Sequence, residues 1–267
     1  MTSKINFPKT YKIQKIEKET PTIKTFYFNA PKFVHAKPGQ FVMVWIPGVD
    51  EIPLSVSSVD QNSVSVTVKN IGEATSAFHR MQEGSFIGLR GPYGKGFDLS
   101  SAEKVLAVGG GVGIAPLLHL VKSNQCKDFT VILAAKTADE IYWKEKFESA
   151  DAKAAVCTDD GSTGIKAFAP QAAEEELKKE KFDLVVGCGP EIMLKHLFNV
   201  AVTYNTDVQF SLERWMKCGM GICGQCAIDP TGWRVCKEGP VADTKQLKKL
   251  TELFNYRRDK AGKIVDL

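Results

Sequence analysis

The chain has 267 residues, 43% hydrophobic and 25% charged, with a net charge of +4. That is globular composition, long enough for one large domain or two to three small ones. It argues against nucleic-acid binding, because the basic residues are scattered rather than clustered among aromatics. It argues equally against a membrane span, because no apolar run reaches the roughly 20 residues one needs.

The first zone, 1–99, opens without the apolar stretch of a secretory signal, so a cytoplasmic protein is expected. Short alternating runs predict strands over Thr22 to Phe28, Gln40 to Ile46, Ser63 to Val68 and Ser85 to Leu89. Turn signals at Lys37-Pro38-Gly39, Pro47-Gly48 and Asp60-Gln61-Asn62 separate them, and a helix is predicted over Thr75 to Met81. Many short strands with glycine and proline between them predict an antiparallel β-barrel.

In the second zone, 100–210, strands alternate with helices. Strands are predicted at Val105 to Val108, Phe129 to Ala134 and Leu184 to Val186, and helices at Ala115 to Val121, Glu140 to Glu148, Ala172 to Lys181 and Glu191 to Ala201. This predicts an α/β domain with a parallel sheet covered on both faces. The third zone, 211–267, is short and rich in cysteine and glycine. It has little core of its own, so a bound metal would supply stability that it lacks.

The first predicted strand of the second zone runs into Gly109-Gly110-Gly111-Val112-Gly113-Ile114-Ala115-Pro116. A strand, a glycine turn and a helix start together present N–H groups to a dinucleotide pyrophosphate, and Pro116 suits a first helical turn. Ile114 stands where the usual third glycine would be, and glycines that merely allow tight packing are the alternative. A second close approach follows the last strand at Gly187-Cys188-Gly189-Pro190, where Cys188 faces a cofactor ring or fills a small buried space. After Leu133-Ala134-Ala135-Lys136 no carboxylate is placed to select a ribose, so NAD and NADP both stay open.

Seven cysteines are present, and Cys126, Cys157 and Cys188 stand alone. The others follow the pattern Cys218-x4-Cys223-x2-Cys226-x9-Cys236. The first two spacings are those of a plant-type [2Fe–2S] site, and Gly219, Gly221 and Gly224 let such a loop bring N–H groups to sulfur. A structural zinc site also takes four thiolates, but it favours paired short knuckles, which Cys226 and Cys236 do not form.

In this order the pieces resemble the ferredoxin–NADP reductase superfamily. The run Ser211-Leu212-Glu213-Arg214-Trp215-Met216-Lys217-Cys218-Gly219-Met220-Gly221-Ile222-Cys223-Gly224-Gln225-Cys226 is similar to the electron-transfer subunits of dihydroorotate dehydrogenases. Thr158-Asp159-Asp160-Gly161-Ser162 and Val235-Cys236-Lys237-Glu238-Gly239-Pro240-Val241 carry the same likeness. The resemblance implies a flavin in the barrel, with FAD preferred over FMN. Its contacts would fall on Ile52, Pro53, Leu54 and Ser55, with Ser55 near flavin N5, then on Thr67, Val68 and Lys69, and on Gly72, Ala74 and Thr75 at a helix start. Gly91-Pro92-Tyr93-Gly94-Lys95-Gly96-Phe97 matches the loop that leads to the nucleotide domain.

The resemblance also implies NAD or NADP at Gly110, Gly111, Gly113, Cys188, Gly189 and Pro190, with Cys188 near the nicotinamide, and a 2Fe-2S cluster on Cys218, Cys223, Cys226 and Cys236. The family has an arginine where Ile52 stands, which leaves Lys69 to supply that positive charge. The implied partner is an FMN-containing dihydroorotate dehydrogenase catalytic subunit, in a heterotetramer that makes orotate for pyrimidine biosynthesis. A hydrogenase, a ferredoxin:NADP oxidoreductase or an oxygenase could use the same module. A zinc-stapled NAD-binding regulator is the alternative outside catalysis.

Overall fold

The computed structural model describes residues 7–250 and 252–266. Its first unit is a closed barrel. The strands are β1 (Lys9–Lys18), β2 (Ile23–Asn29), β3 (Phe41–Ile46), β4 (Asp50–Val59), β5 (Ser63–Lys69) and β6 (Phe86–Tyr93), and they pair in the order β1-β2-β5-β4-β3-β6. Alternation explains the pairing. Val64, Val66 and Val68 of β5 and Phe26 and Phe28 of β2 all point inward and are buried. Helix α1 (Glu73–Arg80) closes one end by stacking Phe78 on Phe26, with ring centroids 4.0 Å apart. Two barrel strands lie outside the sequence expectation. In β1 lysines and glutamates alternate with a few apolar residues, of which Ile13 is buried, and β4 contains Pro53, which reads as a strand breaker.

The second unit is a seven-stranded sheet. After β7 (Lys104–Gly110) come a 3-10 turn (Gly111–Gly113), α2 (Ile114–Lys122), β8 (Asp128–Ala135), α3 (Lys144–Glu148), β9 (Lys153–Thr158), β10 (Ile165–Lys166), α4 (Ala169–Lys179), β11 (Leu184–Cys188), α5 (Glu191–Thr203) and β12 (Asp207–Ser211). The strand order is β10-β9-β8-β7-β11-β12 and every pair in that run is parallel. One core packs α2 and α3 on one face, and another packs α4 and α5 on the opposite face. The chain leaves β7 toward β8 on one side and reaches β11 on the other. The order therefore switches at β7, and the crevice at the strands' carboxyl ends is where such sheets bind ligands.

The expected helix over Glu140 to Glu148 is corrected by the structure. A 3-10 turn covers Ala138–Glu140, and the α-helix starts only at Lys144. Between them Trp143 takes a left-handed φ of +68°. That turn puts Tyr142 and Trp143, edge to face at 5.0 Å, into the core instead of on one helical stripe.

The last segment carries β13 (Ala227–Ile228), β14 (Trp233–Arg234), β15 (Val241–Asp243), α6 (Thr244–Leu247), β16 (Tyr256–Arg258) and β17 (Ile264–Asp266). It is less separate than its composition suggests. β15 pairs antiparallel with β12 and becomes the seventh strand of the nucleotide sheet. Cys226, Ile228, Trp233, Val235 and Cys236 join the α4–α5 core, which Phe41 and Met43 of the barrel also enter. Among the described residues no helix is long and apolar enough to cross a membrane.

Candidate functional site

Three faces converge where the barrel, the sheet crevice and the cysteine loop meet. On the barrel side Ile52, Pro53, Leu54 and Ser55 lie in β4, all half-buried. Ile52 and Leu54 touch the barrel core, and Ser55 is paired across the sheet with Phe41, which in turn pairs with Tyr93 of β6. β5 presents Thr67, Val68 and Lys69 in a different way. The Thr67 hydroxyl meets that of Thr25 at 3.0 Å, Val68 is 2% exposed, and its carbonyl meets His79 Nε2 at 2.8 Å. Lys69, the expected substitute for an arginine, donates to both carboxylate oxygens of Glu140 at 3.2 Å. Gly72 caps α1 with open space where a side chain would be, and Ala74 lies in the first turn. Thr75 Oγ1 accepts from the N–H groups of Ile71 and Gly72, both at 3.0 Å.

The nucleotide side is tightly built. Gly110 has Met193 and Pro190 in its Cβ position, at 2.7 and 3.1 Å. A Cβ on Gly113 would lie 2.2 Å from the Cys188 carbonyl oxygen, and one on Gly189 would lie 3.1 Å from Gly110. Gly110, Gly113 and Gly189 are therefore required by the contact between the two turns, whereas Gly109 packs on Ile114 and Leu117 and Gly187 on Phe210 and Leu194. Gly111 is the exception, with φ +56° and nothing within 4 Å. It is the open position of the cradle, where backbone can approach a phosphate.

At the end of β11, burial pushes the Cys188 thiol up to about 12, and the charge of Glu213 adds to this. Cys188 is therefore a neutral, apolar wall rather than a nucleophile. Glu213, at the exit of β12, is reached by water yet ringed by protein, and this desolvation, with Glu191 nearby, raises its carboxyl. Behind the loop the buried Tyr142 hydroxyl reaches the Gly111 carbonyl at 3.3 Å. Helix α2 leads from the loop onto β4, where His119 is hydrogen-bonded to the Val56 backbone, next to Ser55. Burial holds His119 down at about 4, so it is neutral at pH 7.

The cysteines come together in pairs, Cys218 beside Cys223 and Cys226 beside Cys236. No group of three or more metal-ligating side chains is tightly gathered among the described residues. Pairing suits a two-iron cluster, in which each iron takes two thiolates. The surrounding backbone is donor-rich. Met220, Ile222 and Cys223 point N–H groups at Cys218 Sγ at 3.5, 3.3 and 3.4 Å, and Gly221 points one at Cys236 Sγ at 3.1 Å. Partial burial would raise Cys218, but these donors outweigh it and bring the thiol to about 6. Cys236 shares its proton with Cys226, which lowers Cys226 to about 7 and raises Cys236. Gly219, Gly221 and Gly224 all have positive φ, between +68° and +83°, which turns these N–H groups inward. The donor set and its charge state fit an anionic iron–sulfur group.

The loop leans on the barrel. A Cβ on Gly219 would lie 2.7 Å from Met43 of β3 and 3.7 Å from Tyr93 of β6.

The comparisons match this arrangement. Residues 213–248 match the iron-sulfur cluster binding domain of dihydroorotate dehydrogenase B. The chain is 47% identical, over 96% of its length and 97% of the relative's, to a Methanocaldococcus jannaschii protein named "Probable dihydroorotate dehydrogenase B (NAD(+)), electron transfer subunit". The chain belongs to this family. A protein of the same name from Methanothermobacter thermautotrophicus is 41% identical over 98% of both chains. Among solved structures, one from the NADH-dependent reduced ferredoxin-NADP oxidoreductase superposes with a TM-score of 0.80 at 28% identity, covering 93% of this chain and 95% of that one. A ferredoxin NADP+ reductase from Neisseria gonorrhoeae, with bound FAD and NADP, shares the fold of 73% of this chain and 91% of its own, with a TM-score of 0.62 at 20% identity.

Several residues around the candidate site escaped the sequence reading. The buried Arg90 pairs with the half-buried Glu51 at 2.6 Å, against the cysteine loop. Arg214 grips Glu191 at 2.6 Å and ties the cluster segment to the start of α5. For Arg90 a signal existed, since it is the one charge in the strand Phe-Ile-Gly-Leu-Arg-Gly-Pro-Tyr. Tyr142 and Glu191 carried none, because their partners lie 31 and 23 residues away.

Proposed function

We propose that this chain is the electron-transfer subunit of an NAD-linked dihydroorotate dehydrogenase, carrying FAD in the barrel and a 2Fe-2S cluster on Cys218, Cys223, Cys226 and Cys236. The units meet near residues 99 and 210. The observation that carries this reading is the seat of the cysteine loop on β3 and β6. Ser55, the residue assigned to flavin N5, lies two strands from Tyr93, about 10 Å at ordinary strand spacing. A bound flavin exchanges electrons in pairs with a nicotinamide and singly with an iron–sulfur cluster, which neither of those groups does alone.

The chain's own residues supply the rest. Gly110, Gly111 and Gly113 with Gly189 and Pro190 bring backbone up to the dinucleotide, and the neutral Cys188 offers its ring a polarizable wall. Gly72, Ala74 and Thr75 bring the start of α1 up to the flavin diphosphate, with no arginine at position 52 to assist. Electrons enter or leave on the cluster side, where Cys223 is exposed beside Ile222, which is 79% exposed. The partner there is the catalytic subunit, in a heterotetramer. A cytoplasmic place fits four cysteines spaced for a metal group rather than for a disulfide framework.

The likeness to the NADH-dependent reduced ferredoxin-NADP oxidoreductase supports a second reading, in which the same module serves a ferredoxin-linked partner. The deciding experiment is anaerobic co-expression with the catalytic subunit. Dihydroorotate should reduce NAD only when both proteins are present, and the isolated chain should show flavin, iron and acid-labile sulfide, with NADH bleaching its spectrum. A colourless chain that contains zinc would replace both readings with that of a nucleotide-binding regulator.

A further inference from the structure

Arg90 breaks the pattern of its strand. Ile87 and Leu89 are buried in the barrel wall, and Arg90 is buried nearly as deeply, 5% exposed. A guanidinium so far from water is tolerated only when its donors are met. Nε and Nη2 donate to the two Glu51 carboxylate oxygens, both at 2.6 Å. Nη1 donates to the Cys218 carbonyl at 2.6 Å and to the Tyr93 hydroxyl at 3.3 Å, and Nη2 reaches the Lys217 carbonyl at 3.5 Å. One side chain thus joins two barrel strands to the backbone of a cluster ligand 128 residues away.

The grip also sets the direction of the loop backbone. A trans peptide points its C=O and N–H to opposite sides. When Arg90 draws the Cys218 carbonyl toward the barrel, the next N–H, on Gly219, turns away from it. Arg234 makes a similar grip further along. Its Nη1 donates to the Gly221 carbonyl at 2.6 Å, and the next N–H, on Ile222, points at Cys218 Sγ at 3.3 Å. Arg234 is backed by Glu238 as Arg90 is by Glu51. The two grips differ in setting. The Arg234 side chain is 37% exposed and screened by water, whereas that of Arg90 is 6% exposed.

We propose that Arg90 is a positioning residue for the iron–sulfur cluster. It seats the Cys218–Cys223 loop on the barrel and holds a buried positive charge beside the first ligand. A cluster gains negative charge on reduction, and a buried cation nearby favours that state. Arg90 therefore raises the cluster's midpoint potential, and Glu51 moderates the effect. This rests on the reading of the four cysteines as cluster ligands.

The test is an EPR-monitored redox titration of the full chain, purified without air, alongside iron and sulfide analysis. Arg90→Gln should lower the midpoint potential, and Glu51→Gln, which leaves the arginine unopposed, should raise it. Arg90→Lys should fall between wild type and Arg90→Gln, because an ammonium keeps the charge but cannot fork between Glu51 and Cys218. Shifts of opposite sign from the two halves of one ion pair do not arise from general loosening. An Arg90→Gln protein with full iron, an unmoved potential and an unchanged EPR line shape would overturn the proposal, as would shifts of one sign in both variants. If Arg90→Gln loses its iron, Glu51→Gln decides, with a raised potential upholding the proposal and an unmoved or lowered one rejecting it. A wild-type chain without iron would instead overturn the proposed function itself.

Discussion

Two loops of this molecule are rich in glycine for different reasons. In the nucleotide loop, Gly109, Gly110 and Gly113 have no room for a side chain, because Ile114, Met193 and the Cys188 carbonyl fill that space. In the cysteine loop Gly219, Gly221 and Gly224 all have positive φ; Gly219 and Gly221 are also packed, against Met43 and Lys237, while Gly224 has open space around it. The first loop spends its glycines on shape, so that two strand ends can close into one cradle. The second spends them on backbone direction, so that N–H groups face sulfur. Glycine content alone does not say which loop holds its ligand with backbone and which with side chains.

The sharpest way to break this comparison is to remove a ligand side chain. Cys223→Ser should abolish the visible and EPR signals of the cluster, since Cys223 is exposed and its loss disturbs no core, while flavin content changes less than about twofold. If NADH no longer bleaches the flavin of this variant, the two loops do not work as separate devices.

Gly113→Ala attacks the other loop. With backbone 2.2 Å from the new Cβ, it should cost about 3 kcal/mol of stability and weaken NADH binding at least about tenfold, as read by thermal melting and flavin-reduction kinetics. Acid should also act on the nucleotide side. His119 has its ordinary value of 6.5 when unfolded and about 4 when folded, so between these pH values the unfolded chain holds more protons. Stability therefore falls as pH drops from about 6.5 to 4, by about 3 kcal/mol for a shift of this size, and is flat with respect to this group above that window. His119→Gln should flatten the pH dependence of the melting temperature across it. The smallest effects should come from Gly111→Ala and Gly224→Ala. Each sits in open space and meets only the left-handed backbone penalty, about 1 kcal/mol. An effect of Gly224→Ala as large as that of Gly113→Ala would show that packing governs both loops.

Much of the fold was legible in periodicity. Ser63–Lys69 alternates cleanly because its valines line a barrel, and Lys104–Gly110 is a continuous apolar run because both faces of its sheet are covered. The strands that escaped are those in which that logic is diluted. Lys9–Lys18 turns its many charged residues to water, and Lys153–Thr158 has only small or partly buried residues over most of its length. Within the site, the cysteines and glycine turns were legible because their function is local. The pairing of Lys69 with Glu140 was not legible, because the two lie 71 residues apart.

By itself the sequence determined the order of the three units, the spacing of the four clustered cysteines and the two glycine turns, because spacing along a loop is a property of the chain. Only the tertiary structure decided that β15 completes the seven-stranded sheet, that His119 lies against β4, and that Arg90 and Met43 receive the cysteine loop. These contacts join residues far apart in the chain. They exist because the barrel, the sheet and the cluster segment each leave apolar surface that is buried only against the others.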